Sequence, residues 1–422
     1  MRQIKGESSM SGEVFIVGVG MTPFGRWPDR PLKSLVAEAV RAALKDAGTD
    51  VSTIGAAYFA NSTQGHLDGQ HMIRGQIALR PLGIEGIPVI NVENACAGGS
   101  TAFALAVNHV RAGGCDIALA VGAEKMISPD RERMMSVFDS GWEIADSEAN
   151  RAKLTALGEG IEAPEGTTSP KPYSVFMDVY AAFARQHMRQ FGSTQMQFAS
   201  VAAKNHGHSV HNPLAQFRDP FSVAQVLAAA PITYPLTLPM CSPISDGAAA
   251  VIVASRQGLR RLGIVEDRGI RVLASVIQTG STRDPLASDK HLTALAAQRA
   301  YGEAGLGPND VSVAEVHDAT AVGEVIQTEN LGFCAFGEGG ALAERGDTAI
   351  GGRIPVNPSG GLESKGHPIA ATGLGQLHEL VLQLRGQAGK RQVGGARVAL
   401  AENGGGLFGI EEAVACITIL GR

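Results

Sequence analysis

Cys96 stands in the run Asn94-Ala95-Cys96-Ala97-Gly98-Gly99-Ser100-Thr101, a lone thiol followed by small residues and then by an apolar helical stretch over 102–110. This places the sulfur at a helix N-terminus, where unpaired backbone N–H groups favour thiolate over thiol and small neighbours let a carbonyl group approach. The pattern predicts a nucleophile rather than a core cysteine. A second constellation, Lys365-Gly366-His367-Pro368 leading into Ile369-Ala370-Ala371-Thr372-Gly373, puts a histidine at the mouth of another small-residue helix that runs to 383. His367 could serve as the base for Cys96, and a cysteine with a remote histidine is the chemistry of acyl transfer. His206, His208 and His211 have spacing that could ligand a metal. No cysteine or paired-carboxylate motif accompanies them, so a loop near the substrate is expected there and no metal site.

The elements that must position these residues alternate between strand and helix. A strand is expected over 14–19, an amphipathic helix over 32–47 and a strand over 56–59, a pattern that specifies an α/β protein. The chain then echoes itself. Ala43-Leu44-Lys45-Asp46-Ala47-Gly48 before the strand at 56 resembles Tyr301-Gly302-Glu303-Ala304-Gly305-Leu306 before a strand over 313–316. The Cys96 loop, its helix and the strand 116–121 ending at Ala123-Glu124 run parallel to the His367 loop, its helix and the strand 396–400 ending at Ala401-Glu402. Two similar halves related by a pseudo-twofold axis would bring two helix N-termini together, and with them Cys96 and His367. The expected organisation is a first half over 12–127, an inserted substrate and loop domain over 128–234 carrying a basic-aromatic helix over 179–191, a return segment over 235–268 and a second half over 269–422.

The 422 residues, 44% of them hydrophobic and with 53 glycines, can bury a large core in several layers. A net charge of −5 with no Lys/Arg block argues against nucleic-acid and membrane-surface partners. The five cysteines, Cys96, Cys115, Cys241, Cys334 and Cys416, lack CxxC spacing, which argues against a disulfide framework or zinc ribbon and fits a reducing cytosol. With no apolar run long enough to span a bilayer and no signal-peptide core over 1–10, a soluble cytoplasmic protein is expected.

Four motifs together resemble thiolases of the sterol-carrier-protein type, without a sterol carrier domain: the Cys96 loop, Ser245-Asp246-Gly247-Ala248-Ala249, Val316-His317-Asp318, and Asn357-Pro358-Ser359-Gly360-Gly361-Leu362-Glu363-Ser364-Lys365-Gly366-His367-Pro368. The resemblance covers nearly the whole chain from Glu13. It implies a five-layered α-β-α-β-α fold, coenzyme A thioesters as substrates with no resident cofactor, and dimerisation through the first-half sheet. It makes Cys96 the acyl-accepting nucleophile, His367 the group that takes its proton, and His317 an orienter of the substrate oxygen. The backbone N–H groups of Cys96 and Gly404 would form an oxyanion hole, and Asn403, Ser359 and Gly360 would contact substrate.

The chain departs from that pattern in one function. The family uses a second cysteine, after His-Asp or in the last Gly-rich loop, to move the α-carbon proton. Here His317-Asp318 is followed by Ala319-Thr320, and the last loop offers Glu402. A carboxyl buried among apolar residues can have its pKa raised enough for this work, so Glu402 is the expected acid/base, while its counterpart Glu124 allows that it is only the echo of a strand end. The leading expectation is an acyl-CoA C-acyltransferase that cleaves a 3-oxoacyl-CoA or condenses two thioesters. A retro-aldol lyase and a non-catalytic subunit are the alternatives, and thiolase-like proteins with altered acid/base loops resemble subunits that work with a small zinc-ribbon and OB-fold partner.

Overall fold

The computed structural model describes residues 12–422. The expectation of no signal core over 1–10 falls outside them. In chain order the strands are β1 (Val14–Met21), β2 (Ala56–Ala60), β3 (Val89–Val92), β4 (Ile117–Glu124), a small pair β5 (Pro231–Thr233) and β6 (Leu236–Thr237), then β7 (Gly247–Ser255), β8 (Ile270–Thr279), β9 (Val313–Glu315), β10 (Val398–Phe408) and β11 (Glu411–Gly421). All but the small pair join in the order β3-β2-β4-β7-β1-β8-β11-β10-β9.

That order reads as a palindrome about the contact between β1 and β8, which pair at Phe15 with Arg271 and Ile16 with Ile270. On each side the strands come parallel, antiparallel, antiparallel towards the centre, and a bridge between Ala314 and Val356 supplies the second half with the counterpart of β3. The repeat legible in the sequence is therefore a repeat of topology.

Alternation along the strands builds the layers, because successive side chains point to opposite faces. Phe15 and Val17 pack with the helix Leu32–Ala47 on one outer face, while Val14 and Ile16 face inward with residues of the helices Gly98–Arg111 and Thr372–Arg385. In the second half Ala274, Val276, Ile417 and Ile419 pack with the outer helix Leu292–Ala304. Five layers follow: helix, half-sheet, two central helices, half-sheet, helix. The two central helices meet closely, and a methyl at Gly373 would lie 1.9 Å from Ser100 Oγ, so no larger residue fits there.

Between β4 and β7 the chain leaves the sheet. It forms several helices, chief among them Val175–Phe191, capped by Ser174 and longer at its start than the sequence suggested, and Gln195–Ser209 with a capping box from Thr194 and Gln197. The first of these packs with Trp142 and Phe138 and walls the region in front of Cys96. No helix among the described residues is long and apolar enough to cross a membrane.

Candidate active site

Each central helix is entered through a short 3-10 turn, Ala95–Ala97 in the first half and Ile369–Ala371 in the second. Cys96 occupies the first turn and His367 the approach to the second. The pseudo-twofold arrangement brings His367 Nε2 to 3.3 Å from Cys96 Sγ across 271 residues of sequence. His317, from the loop after β9, stands edge-on to His367 with ring centroids 5.2 Å apart. Ala95, just before the thiol, is held at φ 47°, where an L-residue costs about 1–2 kcal/mol, and its N–H donates to Glu93 Oε1 at 2.6 Å.

Both rings are fixed from behind. His367 Nδ1 lies 2.6 Å from the Thr372 hydroxyl, and its backbone N–H donates to Ser245 Oγ at 3.0 Å. The Asn403 amide donates to His317 Nδ1 at 2.9 Å while its oxygen accepts from Ser100 Oγ at 2.8 Å. His317 Nδ1 is thus an acceptor, which leaves the proton on Nε2. Behind these, the Asp318 carboxylate accepts the backbone N–H of Leu362 and Glu363, and a fully buried ion pair joins Lys365 Nζ to Glu315 at 2.9 Å. The loop after β9 and the segment that carries His367 are therefore locked to each other.

Protonation differs from the sequence expectation of a thiolate. Burial, with Glu124 and Glu93 adding to it, pushes the Cys96 thiol up to about 12 against the N–H groups of Cys96 and Gly406. Burial, then His317 and Lys365, hold His367 well below its usual range, and burial brings His317 down to about 4. The resting site is a neutral thiol beside two neutral imidazoles. Helix-terminus N–H groups are present, but desolvation and nearby carboxylates outweigh them.

The site opens into a cavity of about 1270 Å³ walled by Cys96, His317, His367, the backbone of Gly405 and Gly406, and a mostly apolar outer part that includes Phe138, Phe176 and Met177. Glu402 is fully buried and is not in that wall. It accepts the His317 backbone N–H at 2.8 Å, its other oxygen has no partner among the described residues, and burial raises it to about 8. Glu124 does the same work in the first half, accepting the Ser62 and Thr63 backbone N–H groups in the loop after β2, and burial raises it to about 7.

Other expected contacts are placed elsewhere. Asn403 supports His317 and is out of the cavity wall, and Ser359 is buried with its hydroxyl and N–H on Glu315. Gly360 lies against Ser209, and neither Ser359 nor Gly360 is in the cavity wall. Gly404 pairs with Ala415 and lies under Glu412, and the N–H that reaches the Cys96 sulfur belongs to Gly406. His206 and His208 are spent on the carbonyls of Pro239 and Asn357. Cys96, His317 and His367 offer ligand atoms within 4.8 Å of one another, a thiol and two imidazoles of the kind zinc takes. The sequence reading missed Thr372 and Ser245 as supports of His367, and it missed Glu412; a hydroxyl at the start of the His367 helix was the available signal for the first.

Comparison with known proteins gives a consistent result. Residues 14–228 match the thiolase N-terminal domain, and residues 278–422 match the domain described as thiolase C-terminal domain-like. The acetyl-CoA acetyltransferase of Methanothermobacter thermautotrophicus is 39% identical over 402 residues, covering 94% of this chain and 97% of that protein. Bovine sterol carrier protein 2 is 37% identical over 411 residues, 96% of this chain and 72% of the relative, and benzoylsuccinyl-CoA thiolase subunit BbsB of Thauera aromatica is 35% identical, 93% and 95%. Among solved structures, the Ltp2-ChsH2(DUF35) aldolase superposes with a TM-score of 0.75 at 26% identity, covering 98% of this chain and 99% of that one.

Proposed function

This chain belongs to the thiolase family, and we propose that it is an acyl-CoA C-acyltransferase that works through an acyl group on Cys96. The observation that carries this reading is the 3.3 Å contact between Cys96 Sγ and His367 Nε2 at the floor of the cavity. As the sulfur attacks a thioester or ketone carbon, its proton passes to His367 Nε2, which faces it. Because both groups rest neutral, the charge pair forms only as the carbonyl carbon is attacked. The N–H groups of Cys96 and Gly406 take the oxyanion that develops beside the sulfur, and such donors are worth about 3–4 kcal/mol each in acyl transfer. The Nε2–H of His317, fixed in tautomer by Asn403, serves a second oxygen.

A coenzyme A thioester fits a cavity that is apolar around the acyl position and carries Arg26, Arg131 and Lys171 in its wall, cations suited to phosphates. A retro-aldol reaction has no use for the Cys96–His367 pair. The names of one relative, a thiolase subunit, and of the structural neighbour, a two-component aldolase, support an assembly with a small partner protein, and the exposed Ile90 on edge strand β3 supports pairing of two copies. Intact mass after incubation with a panel of acyl-CoA esters should show a stoichiometric acyl adduct mapped to Cys96. An adduct on Cys241 or Cys334, or none with any ester, rejects the reading.

A further inference from the structure

Acyl transfer onto Cys96 is half of a thiolase reaction, and the other half needs a group that takes a proton from, or returns it to, the α-carbon of the second thioester. The strand β10 does not stop at Glu402. It continues to Phe408, turns and comes back as β11 from Glu411, with Leu407 opposite Glu412. This hairpin extension carries Gly405 and Gly406 along one side of the cavity and Glu412 beside them. A methyl built at Gly404 would lie 3.0 Å from Glu412 Cγ and 3.4 Å from Oε1, so the Glu412 side chain folds back over the Gly-rich strand. Gly406, whose N–H reaches the Cys96 sulfur, is two residues further on, about 7 Å along the strand.

We propose that Glu412, rather than Glu402, is the catalytic residue that moves the α-carbon proton. This deepens the acyltransferase reading and rests on it. Glu412 is a carboxyl in the wall of the cavity that holds Cys96, His317 and His367, whereas Glu402 lies outside that wall with one oxygen on the backbone N–H of His317. Glu402 also has a first-half counterpart, Glu124, which performs the same backbone work at a position remote in sequence from any acid/base motif. A carboxyl found at the matching position of both halves is a property of the fold. Glu412 has no such counterpart, because β4 ends at Glu124 and the first half has no hairpin extension there.

The surroundings suit a proton carrier. Gln327 Nε2 donates to Glu412 Oε1 at 3.4 Å, His291 Nε2 lies 3.5 Å from Oε2, and neighbouring Glu411 is engaged by Arg283. Tyr180 completes the wall shared between the main cavity and a small cleft behind Glu412. Burial, with Glu411 adding to it and its own backbone N–H and Arg283 opposing, raises Glu412 to about 7. Such a group both accepts and gives a proton near neutrality.

In condensation the α C–H bond breaks, the proton goes to a Glu412 oxygen, and the electron pair left on carbon attacks the acyl carbon on Cys96. The new C–C bond forms, the C–S bond to Cys96 breaks, and Cys96 leaves as a thiolate that takes its proton from protonated Glu412, His367 having already given the original thiol proton to the departing coenzyme A. In cleavage each step reverses: Glu412, protonated at the expense of the attacking Cys96 thiol, gives its proton to the departing carbanion, and free coenzyme A then attacks the acyl carbon while its thiol proton passes through His367 to the leaving Cys96 thiolate.

The full-length protein with acetyl-CoA in deuterated water separates the steps, with acylation read by intact mass and α-deuterium uptake read on the recovered thioester. We expect Glu412→Gln to acylate Cys96 within about threefold of the parent while losing at least about 100-fold in deuterium uptake, with Glu412→Asp recovering part of it. Glu402→Gln should change the two readouts by one common factor and not selectively, because the only hydrogen-bond partner of this side chain among the described residues is the backbone N–H of His317. Uptake at the parent rate in Glu412→Gln, selective loss in Glu402→Gln instead, or acylation without any uptake in the parent overturns the proposal. Failure of Cys96 to acylate in the parent would overturn the acyltransferase reading itself.

Discussion

The two halves of this molecule repeat the same strands and helices, yet they contribute different chemistry. The first half supplies Cys96 on its 3-10 turn, and the second supplies His367, His317 and the Gly-rich hairpin. Where the halves match, the residues do structural work: Glu124 and Glu402 each hold the loop that follows the neighbouring strand. Where they differ, in the side chains that the two matching turns present and at the extension of β10 and β11, the reacting groups sit. Duplication fixes a site between two helix ends, and divergence of one half from the other equips it.

The sharpest way to break this comparison is to remove the group the first half alone provides. Cys96→Ala should lower turnover by on the order of 10³-fold or more and abolish the acyl adduct, because the covalent intermediate has no substitute. Residual thioester-dependent turnover within tenfold of the parent would mean that the second half can work without the thiol. The next effect in size comes from the hairpin extension. If the condensation uses Glu412 as its base, the rate should rise with pH through about 7, since the carboxylate form is needed, and that limb should vanish in Glu412→Gln. An unchanged pH profile would shift the chemistry back to positions that both halves share.

A third test addresses the contact between the halves. With Cys96 pushed up to about 12 and His367 depressed, iodoacetamide should alkylate Cys96 slowly at pH 7, and the rate should climb about tenfold per pH unit towards alkaline solution. A plateau between pH 6 and 8 would reveal a resting thiolate–imidazolium pair. His367→Ala should leave that rise unaltered in shape and slow turnover, because the base acts during attack.

Much of this arrangement was legible in the residues. The helix Leu32–Ala47 and Glu124 at the end of β4 fall where periodicity and the internal echo place them, since both patterns are local, whereas the strand expected to end at Glu402 runs on to Phe408. The meeting of Cys96 with His367 could be inferred because a repeat constrains long-range geometry. Charge state could not: the small residues around Cys96 suggest an activated thiol, but the desolvation that raises it comes from side chains brought in by the fold. Nor could facing direction. Asn403, Ser359 and Gly360 sit inside recognisable motifs, yet the chain turns them towards His317, Glu315 and Ser209, and Glu412 lies past a turn whose register along Gly404–406 no local pattern reveals.

The smallest expected effect compares the matched carboxyls directly. Every polar contact of Glu124 is with a donor, from Asn61, Ser62 and Thr63, so Glu124→Gln turns an amide N–H₂ against donors and should destabilise by about 1–3 kcal/mol. Glu402 has one donor and one unpartnered oxygen, so Glu402→Gln can keep its bond to the His317 N–H and should cost little. Its signature is in the pH dependence. Burial raises Glu402 to about 8, above the roughly 4.3 of an exposed glutamate, so between those values the folded chain holds a proton that the unfolded chain has released. Stability from this group is therefore fully present below about pH 4.3 and is lost as pH rises to about 8. In Glu402→Gln that slope is absent, and its apparent Tm should gain on the parent by on the order of a few °C across this window and hold the gain above it. Parallel Tm curves for the two proteins would show that Glu402 ionises normally, and with that the likeness of the two matched carboxyls would fail.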